Sequence, residues 1–436
     1  MKFFYHIFIA LYPLVAKLIS SKNAKAKLWV SGRENIFQQL RESFANNKEK
    51  VVWMHCSSLG EFEQGRPVIE RIKKDNPSIK ILLTFFSPSG YEVKKNYELA
   101  DWVFYLPMDS PSNAANFYEI VKPTLVIFVK YEFWFYYLKE AKERNIPLML
   151  ISGIFRESQP FFKWYGSFYR QMLSFFTMLF VQNNGSEELL KSIGFNENVA
   201  ISGDTRFDRV LSIAQKFEPI PEIEAFIGTH KKVIIAGSTW LEDDEVLYHY
   251  AKTHPHVMFI IAPHDIQESR VEECLALYPD AIKFSELSNT DKKVLTTVSS
   301  SISAKGIKKN DAEANILIMD NMGILSRLYK YATICFVGGG FGEDGVHNVL
   351  EAAVFGKPVI IGPEYSKFIE AEGLVNSGGA YSVESTLEFE RVINKLFNDN
   401  SLYNSVCTAA GDYVAVNGGA TGIILKYIYE KRLLTN

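Results

Sequence analysis

From Val51 onward, short apolar runs alternate with amphipathic stretches of helical period: VVWMHC, GEFEQGRPVIERIKKD, IKILLTFF, YEVKKNYELA. Runs of about four to eight apolar residues separated by such stretches predict buried parallel strands with crossover helices. WVFYL, TLVIFV, LMLIS, LFVQ and VAISG continue the rhythm and complete a doubly wound first domain. Periodicity fades over the polar, proline-containing Gln215 to Pro221, and a fresh strand begins at KKVIIAGST. VIIAG, VMFIIAP, ANILIMD, ATICFVGGG and KPVIIGP then predict a second Rossmann-like domain. The expected division is an apolar segment at 1–22, a first domain at 23–214, a linker at 215–230 and a second domain at 231–436. Two such domains in tandem predict a central cleft between the carboxyl ends of two parallel sheets, where open α/β folds bind ligands.

The amino terminus breaks this pattern. Phe3 to Ile19 is nearly continuous in apolar and aromatic residues, interrupted by His6, Pro13 and Lys17, with Lys22, Lys25, Lys27 and Arg33 following. About 17 residues is the short limit for crossing hydrocarbon, so a snorkelling or interfacial anchor is expected. The rival reading is a secretory signal, against which stand the weak basic start and the lack of a small-x-small cleavage site.

Composition narrows the picture further. A chain of 436 residues with 47% apolar and 22% charged residues is globular, and a net charge of −3 excludes a whole-molecule field for nucleic acid. Cys56, Cys274, Cys335 and Cys407 lie far apart with no CxxC pair, which suggests neither a zinc site nor a disulfide framework and fits a reducing cytoplasm.

Several segments are candidates for chemistry. In MHCSSLGEFEQGRP a strand turns into a helix, so Glu61 and Glu63 fall in the first helical turn at the carboxyl edge of the sheet. Glu61 reads either as a catalytic carboxylate or as an acid favoured there by the helix dipole. In CFVGGGFGEDGVHNVLEAAVFGKPVIIGP three glycines leave a strand and a helix start is expected near His347 or Asn348, with backbone amides to cradle a phosphate and Glu351 to accept from sugar hydroxyls. Its glycines are a weak match to a dinucleotide fingerprint and sit in the second half of the chain, so NAD is not expected. In IIAGSTWLEDDE, Ser238 and Thr239 read as phosphate-side hydroxyls or N-caps, and the acids fit the helix dipole better than a metal. Arg206, in ISGDTRFD, reads as a phosphate or carboxylate partner or as a salt-bridge residue, and Lys130 and Glu132 follow a buried strand amid aromatics.

Taken together, HCSSLGEFEQGRPVI, LLTFFSPSG, YLPMDSPSNAANF, KPTLVIFVKYEFW, ISGDTRFD, AGSTWLEDDE, MDNMGILSRLY and GGGFGEDGVHNVLEAAVFGKPVIIGPEYSKF resemble the Kdo (3-deoxy-D-manno-octulosonic acid) transferases of Gram-negative bacteria, in family order. The resemblance implies a GT-B fold and an inverting, metal-independent transfer of Kdo from CMP-Kdo to a lipid A precursor, lipid IVA, at the cytoplasmic face of the inner membrane. It puts acceptor binding and the general base, Glu61, in the first domain, and CMP-sugar binding in the second. Lys130 and Arg206 would stabilise the transition state. CMP contacts would fall on Pro263, His264, Met322, Gly323, Ile324, Asn348, Val349, Leu350 and Glu351, with no cofactor and no metal. Here His264 stands for the family's arginine, Ile324 for an acid, Lys130 for the first acid of its motif and Arg206 for a lysine. The alternative reading is a GT-B glycosyltransferase or epimerase using another nucleotide sugar.

Overall fold

The computed structural model describes residues 1–287 and 314–434, which form two compact units. The first comprises Met1–Arg209 and Asn417–Asn436, the second Val210–Val416.

All seven strands expected in the first unit are present: β1 Val51–Cys56, β2 Lys80–Phe85, β3 Trp102–Tyr105, β4 Leu125–Val129, β5 Leu148–Gly153, β6 Met178–Val181 and β7 Val199–Ile201. They pair in parallel in the order β3-β2-β1-β4-β5-β6-β7, so the topological switch point lies between β1 and β4. β1 and β4 are buried along their whole lengths, which is why they read as unbroken apolar runs. The helix Leu59–Asp75 lies close on this pair because Gly65 carries no side chain. A Cβ there would stand 2.5 Å from Met54 Sδ and 3.3 Å from Val129 Cγ2.

The second sheet holds β8 Val233–Thr239, β9 Met258–Pro263, β10 Ile282–Lys283, β11 Ile316–Ile318, β12 Ile334–Val337, β13 Val359–Ile361 and β14 Ala380–Ser382. Its order is β10-β11-β9-β8-β12-β13-β14, again parallel, with the switch point between β8 and β12. The two edge strands, β10 and β14, have two and three residues and no visible periodicity in the sequence. Two parallel Rossmann-like units in one chain are the parts of the GT-B fold.

The expected boundaries shift in two places. Residues 215–230 are no open linker: Pro221 starts a helix, Pro221–Ile227, whose Ile223 and Ile227 are buried with Ile220 in the second unit. The carboxyl-terminal helix Ala420–Glu430 leaves the second domain assigned from sequence and joins the core of the first, burying Ile424, Leu425 and Ile428 beside Phe180. Each such side chain contributes about 1.5–3 kcal/mol.

Residues Lys2–Ile19 form one helix, the one segment among the described residues long and apolar enough to cross a membrane. It is two-faced. Tyr5, Ile9, Tyr12 and Ala16 pack on the first unit, while Phe3, Phe4, Leu11, Leu14 and Leu18 are 50–78% exposed. Asp109 accepts from the amides of Tyr136 and Tyr137, both at 3.0 Å, and from the Tyr5 hydroxyl, which itself accepts from the amide of Phe135 at 3.1 Å. Three orphan donors at the start of the helix Phe135–Glu143 are thereby satisfied from outside it. Arg33, expected in the basic cluster, instead donates to the carbonyls of Trp29, Phe86 and Leu106 and lies 4.0 Å over the Trp29 ring.

Candidate active site

Glu61 and Lys130 come from the two strands that flank the first switch point. Glu61 is 7% exposed in the first turn of the helix after β1, and its Oε2 accepts from the amide of Ser57. Burial, and then the charge of Glu132, push its carboxyl from 4.5 up to about 8; the Ser57 amide and Lys130 oppose the rise. Glu63, two positions further along the same turn, points elsewhere and pairs with Lys94 at 3.5 Å and Arg209 at 3.8 Å. The two acids that the sequence set side by side therefore differ in environment: one desolvated, one in a surface ion cluster.

Lys130 follows β4 in the left-handed region, φ 63°, an uncommon conformation for a side-chain-bearing residue. Its Nζ lies 5.1 Å from the centroid of the Tyr131 ring. Glu132 lies in the same turn, where its Oε2 accepts from Trp134 Nε1 and meets His55 Nε2 at 3.3 Å. Behind it, His55 Nδ1 is 2.9 Å from Thr84 Oγ1, which accepts from Trp53 Nε1 at 2.8 Å. This buried chain holds the carboxylate that raises Glu61. Sequence reading noted Glu132 without a role and missed His55, which looks like one more residue of an apolar strand.

Arg206 sits in the first turn of a helix, Thr205–Gln215, rather than on a loop. Its guanidinium donates to Asp204 Oδ2 from Nε at 2.9 Å and from Nη2 at 2.7 Å. Burial works to raise the Asp204 carboxyl, but Arg206 and the Gln64 amide outweigh it and hold it below the usual range. Gln64 Nε2 lies 3.2 Å from both Asp204 oxygens, so the helix bearing Glu61 is tied to the turn bearing Arg206. Arg206 is thus ion-paired with the buried Asp204, and its charge also bears on Tyr131 together with that of Glu61.

In the second unit the candidate nucleotide residues stand at or after the carboxyl ends of β9, β11 and β12. Asp243 is the organising group. It accepts from the amides of Trp240 at 2.9 Å and Gly339 at 2.8 Å, binding the turn after β8 to the turn after β12, while burial pushes it up to about 6. Sequence reading took it for a dipole-favoured acid, since its partner lies 96 positions away. Trp240, not Ser238 or Thr239, is the N-cap of the helix Leu241–Thr253. Asp244 pairs with Arg270 in the interior.

His264 follows Pro263 at the end of β9, stacks 4.3 Å from His347 and lies 4.6 Å from the Trp240 ring. Trp240 Nε1 donates to His347 Nε2 at 3.2 Å, and burial, with His264 beside it, lowers His347 to about 4. Met322 is 67% exposed, Gly323 has φ 95°, and Ile324 caps a short helix, Leu325–Leu328.

The expected phosphate cradle changes most. The helix after the glycine run spans only Leu350–Ala353. The amides of Gly339, Gly342, Val346, His347 and Leu350 already serve Asp243, Gly339, Glu364, Gly338 and Asn348. Val349 and Leu350 are wholly buried, so their side chains are core and only their backbone is left to meet a ligand. Asn348 Nδ2 donates to Glu351 Oε1 at 3.1 Å and orients it.

The family model described as 3-deoxy-D-manno-octulosonic-acid transferase (kdotransferase) matches residues 34–209, the stretch that carries Glu61, Lys130 and Arg206. The chain is 25% identical over 380 residues to the 3-deoxy-D-manno-octulosonic acid transferase of Haemophilus influenzae, covering 85% of this chain and 84% of that protein. By sequence the chain is similar to the Kdo transferases over most of its length. It is also 27% identical over 384 residues to a bifunctional glycosyltransferase/methyltransferase of Fusobacterium nucleatum, covering 84% of this chain but only 56% of that protein. Among solved structures, the UDP-GlcNAc 2-epimerase of Neisseria meningitidis superposes with a TM-score of 0.59 at 19% identity, covering 87% of this chain and all of that one. This last likeness shows the fold alone.

Proposed function

We propose that the chain is an inverting glycosyltransferase that moves Kdo from CMP-Kdo to a lipid A precursor, without a metal. The observation that carries the reading is Glu61: a desolvated carboxylate with its proton affinity raised to about 8, at the first sheet's switch point, inside the segment matched to the Kdo transferases. A base tuned near neutrality suits removal of a proton from an acceptor hydroxyl. As that proton passes to Glu61, the hydroxyl oxygen bonds to the anomeric carbon, the bond from that carbon to the phosphate of CMP breaks, and CMP leaves with the electron pair. Attack opposite the leaving group inverts the centre. Lys130, beside Glu61, and the oriented guanidinium of Arg206 would offset the developing negative charge. His264, Asn348 and Glu351 would hold the nucleotide, with Glu351 accepting from ribose hydroxyls.

The outward apolar face of the Lys2–Ile19 helix, with exposed Lys17, Lys22, Lys25 and Lys27, supports an interfacial rather than spanning attachment to an anionic membrane surface. Its opposite face is already committed to the protein. Incubation with CMP-Kdo and lipid IVA, with and without a chelator, followed by product mass, tests the proposal. No mass increment, or a melting shift with UDP larger than with CMP, would favour another nucleotide sugar.

A further inference from the structure

Beyond the catalytic turn the first unit holds a cavity of about 550 Å³ that neither the base nor the nucleotide residues occupy. Its apolar wall is formed by Tyr5, Phe8, Phe133, Trp134, Phe161 and Met172. Polar groups enter at two places: Glu132 and Tyr131 beside the catalytic turn, and Arg156 with Gln159. Gln159 Oε1 accepts from the amide of Arg156 at 3.0 Å, and Arg156 Nη1 donates to the Tyr131 hydroxyl at 3.1 Å, so the guanidinium is steered toward the cavity while its residue stays exposed. Phe8 is 47% exposed on the outward face of the amino-terminal helix. The cavity therefore runs from the carboxylate next to Glu61 to the apolar face assigned to lipid.

We propose that this pocket is a subsite for an anionic acyl lipid: it takes the first stretch of one acyl chain of the acceptor, and Arg156 pairs with an anionic group on the acceptor head. The inference rests on the transferase reading for the identity of the acceptor, but not for the chemistry of the pocket. An aromatic and thioether wall gives a hydrocarbon chain area to bury and gives a polar head little to bond. Glu132 repels an anion at the catalytic end, which leaves Arg156, able to bind phosphate through two N–H groups, as its partner. An acceptor gripped this way keeps its chain toward the membrane and its head group toward Glu61.

The test uses the full chain and 1-myristoyl-glycerol 3-phosphate below its micelle concentration. Calorimetry and tryptophan fluorescence should both report binding, with the fluorescence change lost in Trp134→Phe. Arg156→Ala should weaken binding about tenfold, the size of one charge-assisted hydrogen bond. Gln159→Trp, which fills the pocket from its rim, should weaken it at unchanged melting temperature. Glycerol 3-phosphate should not bind measurably, and uncharged monomyristoyl-glycerol should bind wild type and Arg156→Ala alike. Lipid binding indifferent to Gln159→Trp would put the chain on the outer helix face and overturn the subsite. So would glycerol 3-phosphate binding as tightly as the lipid, or glucosamine quenching Trp134 where the lipid does not. Transfer to lipid IVA is read separately: pocket binding without Kdo transfer would sink the transferase reading alone, and transfer with pocket-independent lipid binding would sink the subsite alone.

Discussion

His55 Nε2 lies 3.3 Å from Glu132 Oε2, and His55 is wholly buried. Thr84 Oγ1 accepts from Trp53 and can give its own proton to His55 Nδ1, which leaves Nε2–H to donate to Glu132. A charge on Glu132 is thus supported from behind by two donors, His55 and Trp134, while in front it raises the proton affinity of Glu61. The pair adds to burial in raising the pH at which the candidate base becomes available.

Transfer should accordingly rise with pH through about 8, because Glu61 works only when deprotonated. Glu132→Gln should move this inflection down, since it removes a like charge. Lys130→Met should move it up, since it removes an opposing one. A pH profile of kcat/KM on the three proteins checks the order of the inflections; coincident profiles would detach Glu61 from the rate.

Glu61→Gln should lower transfer by about a hundredfold to ten-thousandfold, the usual cost of losing a general base, while CMP affinity stays nearly unchanged. Retention of more than about a tenth of the rate would reduce Glu61 to a helix-start acid. Stability gives a second readout. The folded value of Glu61 lies above the unfolded 4.5, so its contribution is present below that pH and is lost as pH rises through about 8. The melting temperature of Glu61→Gln should therefore fall less than that of wild type between about pH 5 and 8.

On the proposed reading, Glu351→Ala should weaken CMP binding by about tenfold or more with the fold intact, because an oriented carboxylate would accept charge-assisted hydrogen bonds of about 1.5–3 kcal/mol from ribose. Asn348→Ala should act in the same direction more weakly, since Asn348 holds Glu351 in place. Calorimetry with CMP decides. Unchanged affinity with a lowered melting temperature would assign Glu351 to packing.

The two faces of the amino-terminal helix should separate in experiment. Leu11→Asp with Leu14→Asp, on the outward face, should release the protein from anionic vesicles at unchanged melting temperature. Tyr5→Ala, on the inward face, should lower the melting temperature, because Asp109 and the amide of Phe135 each lose a partner. Flotation and melting curves of both variants check this. Vesicle binding that survives the paired aspartates would remove the helix from the membrane contact.

Much of the architecture was legible in the chain because a parallel strand buried on both faces must be apolar throughout, and each crossover helix must bear one apolar face. Those patterns located all seven strands of the first sheet and the five inner strands of the second, and they set Glu61 at a strand's carboxyl end. The edge strands Ile282–Lys283 and Ala380–Ser382 were too short for a period to register. Only the tertiary structure decided that Ala420–Glu430 returns to the first sheet, since a helix's apolar face does not name the surface it will cover. It also separated Glu61 from Glu63, tied Arg206 to Asp204, spent the glycine-run amides on the protein's own acceptors, and joined Asp243 to Gly339. The physical reason is common to these cases. A local pattern fixes the direction in which a side chain leaves its own element, whereas its charge state and its partners depend on desolvation and on groups brought near from distant parts of the chain.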